Sequence, residues 1–125
     1  MLDLSQNPRL AGISSFLHLL SSLVDLDLSR NISLKEQDAL AIGRLENLTH
    51  LDMSDSSHAM PSALGRFSRL LDLEVINLDG LETLTSEQLK PLRSLRKLRR
   101  VFMDGCIKVN FAVRTGLLFD LGITS

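Results

Sequence analysis

Four segments recur at equal intervals. LVDLDLSRN begins at Leu23, LTHLDMSDS at Leu48, LEVINLDGL at Leu73 and LRRVFMDGC at Leu98, each 25 residues after the last. The opening MLDLSQN joins the register with Leu4 over Leu28, one residue short of the period. In all four copies the first, fourth and sixth positions are apolar. A unit this short cannot bury an apolar face alone, so a fixed period restricts the chain to folds that stack one unit on the next.

Each recurring position has a physical reading. Alternating apolar residues in L-x-L point to one face of a short strand, and stacked strands of this kind pair in parallel, aligning those leucines in columns. Strands are expected at 2–4, 26–28, 51–53, 76–78 and 101–103. The turn position that follows holds Asn7, Asn31, Ser56, Leu81 and Cys106. Asparagine suits such a turn because its side chain satisfies backbone groups. A buried ladder of these side chains should loosen toward the C-terminus, since Leu81 has no polar group and a thiol bonds weakly. A further apolar site recurs at Leu10, Leu34, Ala59, Leu84 and Val109. In the second half of each unit, Ala39, Ile42 and Leu45, then Leu64, Phe67 and Leu70, then Leu89, Leu92 and Leu95 mark one stripe of a short helix or 3₁₀ segment. Ser33 with Glu36 reads as a capping box, Pro61 suits a first helical turn, and Pro91 places the start of the fourth regular helix near itself.

The motif L-x-x-L-x-L-x-x-N/C resembles the leucine-rich-repeat family over nearly all of the chain. The period is similar to the cysteine-containing and ribonuclease-inhibitor-like subtypes. The resemblance implies an α/β solenoid with a parallel concave sheet and short helical or 3₁₀ convex segments. It would form one domain over 1–125, with repeats near 1–22, 23–47, 48–72, 73–97 and 98–125. The resemblance also implies a non-enzymatic role, protein binding on the concave sheet as a recognition module or scaffold. The chain opens inside a strand and loses the period over 110–125, which reads as a terminal helix or a repeat cut short. An excerpt of a larger protein is the expectation, with end-to-end self-association if the first strand is uncapped.

On the concave side the exposed rows run Met1, Asp25, His50, Val75, Arg100; Asp3, Asp27, Asp52, Asn77, Phe102; Ser5, Ser29, Ser54, Asp79, Asp104; and Gln6, Arg30, Asp55, Gly80, Gly105. The candidate partner-binding residues are therefore Asp25, Asp27, His50, Asp52, Asp55, Asn77, Asp79, Arg100, Phe102 and Asp104. Two readings of the acidic row compete: recognition of a basic partner, or solvated aspartates that are ordinary wording for the family. Phe102, with Gly80 and Gly105 beside it, would be the apolar anchor. A metal site from Asp25, Asp27, His50 and Asp52 has the right residue types, but a flat sheet splays them apart. No cofactor or metal is expected.

Charge and motifs narrow the rest. Lys and Arg number 14 against 15 Asp and Glu, for a net charge of −1, which argues against a general drive to nucleic acid or anionic membrane. Leu fills 28 of the 125 positions, and hydrophobic residues 44%. The chain is thus too apolar for disorder, yet no run is long enough to span a bilayer. The lone Cys106 excludes an internal disulfide and favours a reducing, intracellular compartment, with the cytoplasm as the expectation. P-loop, G-x-S-x-G and H-E-x-x-H motifs are missing, so no enzyme is expected. KPLRSLRKLRR gathers six cations over 90–100. It reads mainly as a solvated convex face, or alternatively as a contact to nucleic acid or another subunit in a larger assembly. Sequons at Asn31 and Asn47 would matter only in a secreted receptor fragment. His18 and His58 have no evident partners.

Overall fold

The computed structural model describes residues 1–7, 12–56 and 61–123. Five short strands, β1 (Leu2–Asp3), β2 (Asp25–Asp27), β3 (His50–Asp52), β4 (Val75–Asn77) and β5 (Arg100–Phe102), form one all-parallel sheet in sequential order. Leu2, Leu26, Leu51, Ile76 and Val101 are successive partners across it, so the pairing register is the sequence period. Parallel neighbours need a crossover. Here it is supplied by α1 (Ser14–Leu17) running into the 3₁₀ turn His18–Leu20, by α2 (Glu36–Ile42), and by the 3₁₀ helices Pro61–Phe67 and Glu87–Ser94. Helix α3 (Phe111–Asp120) follows β5, with the Asn110 side chain accepting the Val113 N–H at 2.8 Å as its cap.

The three later strands and β2 each lie one residue earlier than the alternation of leucines predicts, and β1 stops at Asp3. In β1 to β4 the cause is a side-chain turn at the strand end, whereas β5 ends at Phe102, which has no such acceptor. Asp27 Oδ1 accepts the Ser29 N–H at 2.9 Å, Asp52 Oδ1 the Ser54 N–H at 2.9 Å, and Asn77 Oδ1 the Asp79 N–H at 2.9 Å. The chain bends there, and Leu28, Met53 and Leu78 fall into the bend while remaining buried.

Leucines of the strands pack against the helical side. Leu26, Leu51 and Ile76 meet the stripe residues Ala39, Ile42, Leu45, Leu64, Phe67, Leu70, Leu89, Leu92 and Leu95 in one buried cluster. Leu34, Leu84 and Val109 are buried at the recurring site; Leu10, Ala59 and His58 lie outside the described residues. The three-residue spacing of the stripe is the 3₁₀ repeat, and two of the crossovers adopt it throughout.

Two local expectations are corrected. The capping box of α2 is not Ser33 with Glu36. Lys35 is the N-cap, and Asp38 Oδ2 accepts its N–H at 2.9 Å. Leu34 must first insert into the core at 2% exposure, so the box moves two residues on. The buried Asp38 also accepts the Ser14 N–H at 3.3 Å, fastening α1 to α2. The fourth crossover does not begin near Pro91; a 3₁₀ helix runs through it from Glu87 to Ser94. Leu89 and Leu92, both buried, hold the segment on either side of the missing N–H.

The turn ladder thins along the chain. The Asn31 amide donates to the carbonyls of Leu4 at 2.8 Å and Leu28 at 2.9 Å, while its oxygen accepts the Asn7 N–H at 2.9 Å. Ser56 donates once, to Met53 O at 2.6 Å. Leu81 is apolar and buried. The Cys106 thiol donates to Leu78 O at 3.0 Å.

Candidate functional site

One face of the sheet packs on the core and the other stays open. By register, Asp25, His50, Val75 and Arg100 are neighbours on the open face, as are Asp27, Asp52, Asn77 and Phe102. Adjacent members stand roughly 4.8 Å apart, the strand spacing. A shallow depression of about 240 Å³ lies between Asp25, Asp27, His50, Asp52, Asn77 and Phe102, closed by Met1 and Val75. Phe102 is 41% exposed. The Thr49 hydroxyl donates to Val24 O at 3.2 Å and lies 2.8 Å from His50 Nδ1, an arrangement that a proton on Nδ1 completes by donating to the hydroxyl oxygen.

The carboxylates of the open face are not equivalent. Asp27 and Asp52 are occupied: besides the backbone N–H, each accepts a serine hydroxyl, Ser29 at 2.7 Å and Ser54 at 2.6 Å. Asp3 accepts from Ser5 in the same way, and the Ser5 hydroxyl and then its N–H hold the Asp3 carboxyl below the usual range. Asp25 has no hydrogen bond or ion pair among the described residues. Among those residues no group of three His, Cys, Asp or Glu could hold a metal ion.

Asp55, Asp79 and Asp104 sit beyond the strands, in the turns. Asp79 Oδ1 accepts the Asp104 N–H at 2.7 Å. Asp55 belongs to a row whose backbone conformation the sequence reading missed: Gln6, Arg30, Asp55, Gly80 and Gly105 all have positive φ, from 51° to 78°. The chain must turn left-handed once per interval, and only Gly does so without strain. The signal was present, because Gly80 and Gly105 stand 25 residues apart. Gly80 is further constrained, since a Cβ there would meet the Asp55 carboxylate.

Arg100 and Phe102 also border a larger cavity of about 740 Å³ between β5 and α3, which the sequence reading did not anticipate. Its rim carries Arg96, Lys97, Arg99, Arg100 and Arg114 against the single carboxylate of Asp104. Four of the six cations of the basic run are held by carboxylates of this chain: Lys90 by Glu87, Arg93 by Asp120, Lys97 by Asp72 and Arg99 by Glu74, at 2.9–3.2 Å except Lys97 at 2.7 Å. The Asp72 contact raises the Lys97 pKa. Arg96 and Arg100 have no such partner among the described residues.

Cys106 is buried, and desolvation pushes its thiol pKa up, the opposite of what a nucleophile needs. Asn31 is fully buried, and the Asn47 side chain donates to Ser21 O at 2.8 Å. No helix among the described residues is long and apolar enough to cross a membrane. The sequence matches no protein-family model and no curated protein.

Proposed function

We propose that the chain is a leucine-rich-repeat solenoid that binds a protein partner on the open face of its sheet and has no catalytic role. The observation that carries this is the open face itself. A strict 25-residue register lines up Asp25, His50, Asp52 and the exposed Phe102 around one depression, joining negative charge to an aromatic anchor. A basic, partly apolar segment is the complement.

The test is amide chemical shift mapping of the labelled chain with a lysine-rich peptide containing leucine. Shifts concentrated at Asp25, His50, Val75 and Phe102, and weakened by Asp25→Lys, support the reading. Shifts confined to Arg93 and Arg96, or none on the sheet, overturn it. Asp25 is the residue to reverse because Asp27 and Asp52 also hold their turns.

A further inference from the structure

We propose a second docking site that adjoins the open face and shares Arg100 with it: the outer edge of β5 takes an extended acidic–apolar peptide of a partner protein as a sixth strand. Among the described residues, strand β5 pairs only with β4. Its bonds to β4 run through alternate residues, the Arg100 N–H to Glu74 O at 3.1 Å and the Leu78 N–H to Phe102 O at 2.8 Å. The N–H and C=O of Val101 therefore point away from the sheet, toward the approach a new strand would use. Further along, the Arg114 guanidinium donates to Met103 O at 2.9 Å and marks where the free edge stops.

The surroundings specify the occupant. Beside the edge lies the cavity of about 740 Å³, with Val101, Leu118 and Leu121 half-buried on its apolar side. Side chains of an added strand alternate. Those pointing inward would pack on these three residues. Those pointing outward would lie beside Arg100, whose charge is unmatched within the described chain. Arg96 adds a second unmatched cation, and the buried Nε of Arg114 has no hydrogen-bond partner. Three arginines against Asp104 ask for carboxylates. A nucleic acid would use the charge but neither the free backbone edge nor the apolar side, and Phe102 is the one aromatic side chain lining the cavity.

The probe is a fluorescein-labelled peptide alternating valine and glutamate, with a valine–lysine peptide and a uridine oligonucleotide beside it. Amide hydrogen exchange of the full chain locates what binds. The glutamate peptide should bind and protect the Val101 amide, whereas the lysine peptide should leave Val101 unprotected, any binding of it falling on the open face. Val101→Pro removes an N–H that makes no bond to β4, so it should abolish peptide binding while leaving the sheet paired. Should that variant not fold, Arg100→Glu on an exposed side chain is expected to weaken binding about fivefold, with Arg100→Lys close to the parent. The proposal is overturned if the glutamate peptide fails to bind, or if protection falls on β2 and β3 instead. It is also overturned if the oligonucleotide displaces the peptide with a steep salt dependence. A further refuting result is a concentrated chain that protects Val101 unaided and sediments as a dimer, since a second copy then holds the edge.

Discussion

Replacing Asp27 and Asp52 by alanine should destabilise the chain, and replacing them by asparagine should not. Each carboxylate ends a strand by accepting the N–H two residues on at 2.9 Å, and a serine hydroxyl at 2.7 Å or 2.6 Å. Asn77 does the same work at the next position with a neutral amide oxygen, at 2.9 Å to the Asp79 N–H. The geometry therefore needs an acceptor and does not need a charge. Losing one such cap is comparable to losing a helix N-cap, about 1 kcal/mol, with a half-exposed site in the range of about 0.5–2 kcal/mol. The two turns are adjacent, so the double alanine variant should lose about 2–3 kcal/mol, with some departure from additivity. The double asparagine variant should stay within about 0.5 kcal/mol of the parent. Urea unfolding at constant slope measures both. Equal losses for alanine and asparagine would show that charge rather than hydrogen bonding holds the turns, and the reasoning would be wrong.

Three further outcomes are expected. Asn31→Ala strands the Leu28 carbonyl and the Asn7 N–H, while Leu4 O keeps the Asn7 side-chain amide, and should cost about 2 kcal/mol in urea unfolding against about 1 kcal/mol for Ser56→Ala, which strands one carbonyl. Gly80→Ala combines a left-handed backbone at φ 73° with a clash on Asp55, and should lower stability by about 2 kcal/mol; adding Asp55→Gly should recover part of it in thermal melts. Cys106 should resist iodoacetamide until the chain unfolds. Its pKa is raised in the fold, so the unfolded thiol ionises first. Stability should therefore be retained below the ordinary thiol pKa and fall as pH rises beyond it, a loss absent from Cys106→Ala.

The parallel sheet was legible because its information is redundant: the same apolar triplet appears at Leu26, Leu51, Ile76 and Val101, and one register satisfies every copy. Strand ends were less legible. Leu28 is as apolar as Leu26, and nothing in the alternation says that Asp27 turns the chain between them. The cap of α2 was misplaced for a related reason. Ser33 and Glu36 have the right spacing, but Lys35 and Asp38 have it too, and the choice depends on where buried Leu34 must sit. Of the candidate site, the rows were readable and the roles were not. Asp25 and Asp27 differ by two positions and look alike in sequence, yet the carboxylate of one has no partner among the described residues and the other holds a turn. The cavity beside β5 depends on where α3 lies, and 110–125 has no period to place it.

If the open face binds a partner as proposed, the unequal aspartates set how that partner is built. A carboxylate that already accepts an N–H and a hydroxyl has less to offer a lysine than one that accepts nothing. On the proposed reading, direct charge recognition would fall on Asp25, in β2, and Phe102, in β5, would be the apolar anchor. Three strand spacings across and two residues along separate them, roughly 16 Å. A single side chain cannot reach both, but about five residues of extended chain can. The partner should thus cross the strands with a basic residue and an apolar residue that far apart. Asp25→Asn should mainly slow association and lessen its salt dependence, whereas Phe102→Ala should mainly speed dissociation. At this separation the two losses should add within about 0.5 kcal/mol in a double-mutant cycle. A large coupling would mean that one contact depends on the other, and that the two ends are not read by separate side chains of one crossing segment.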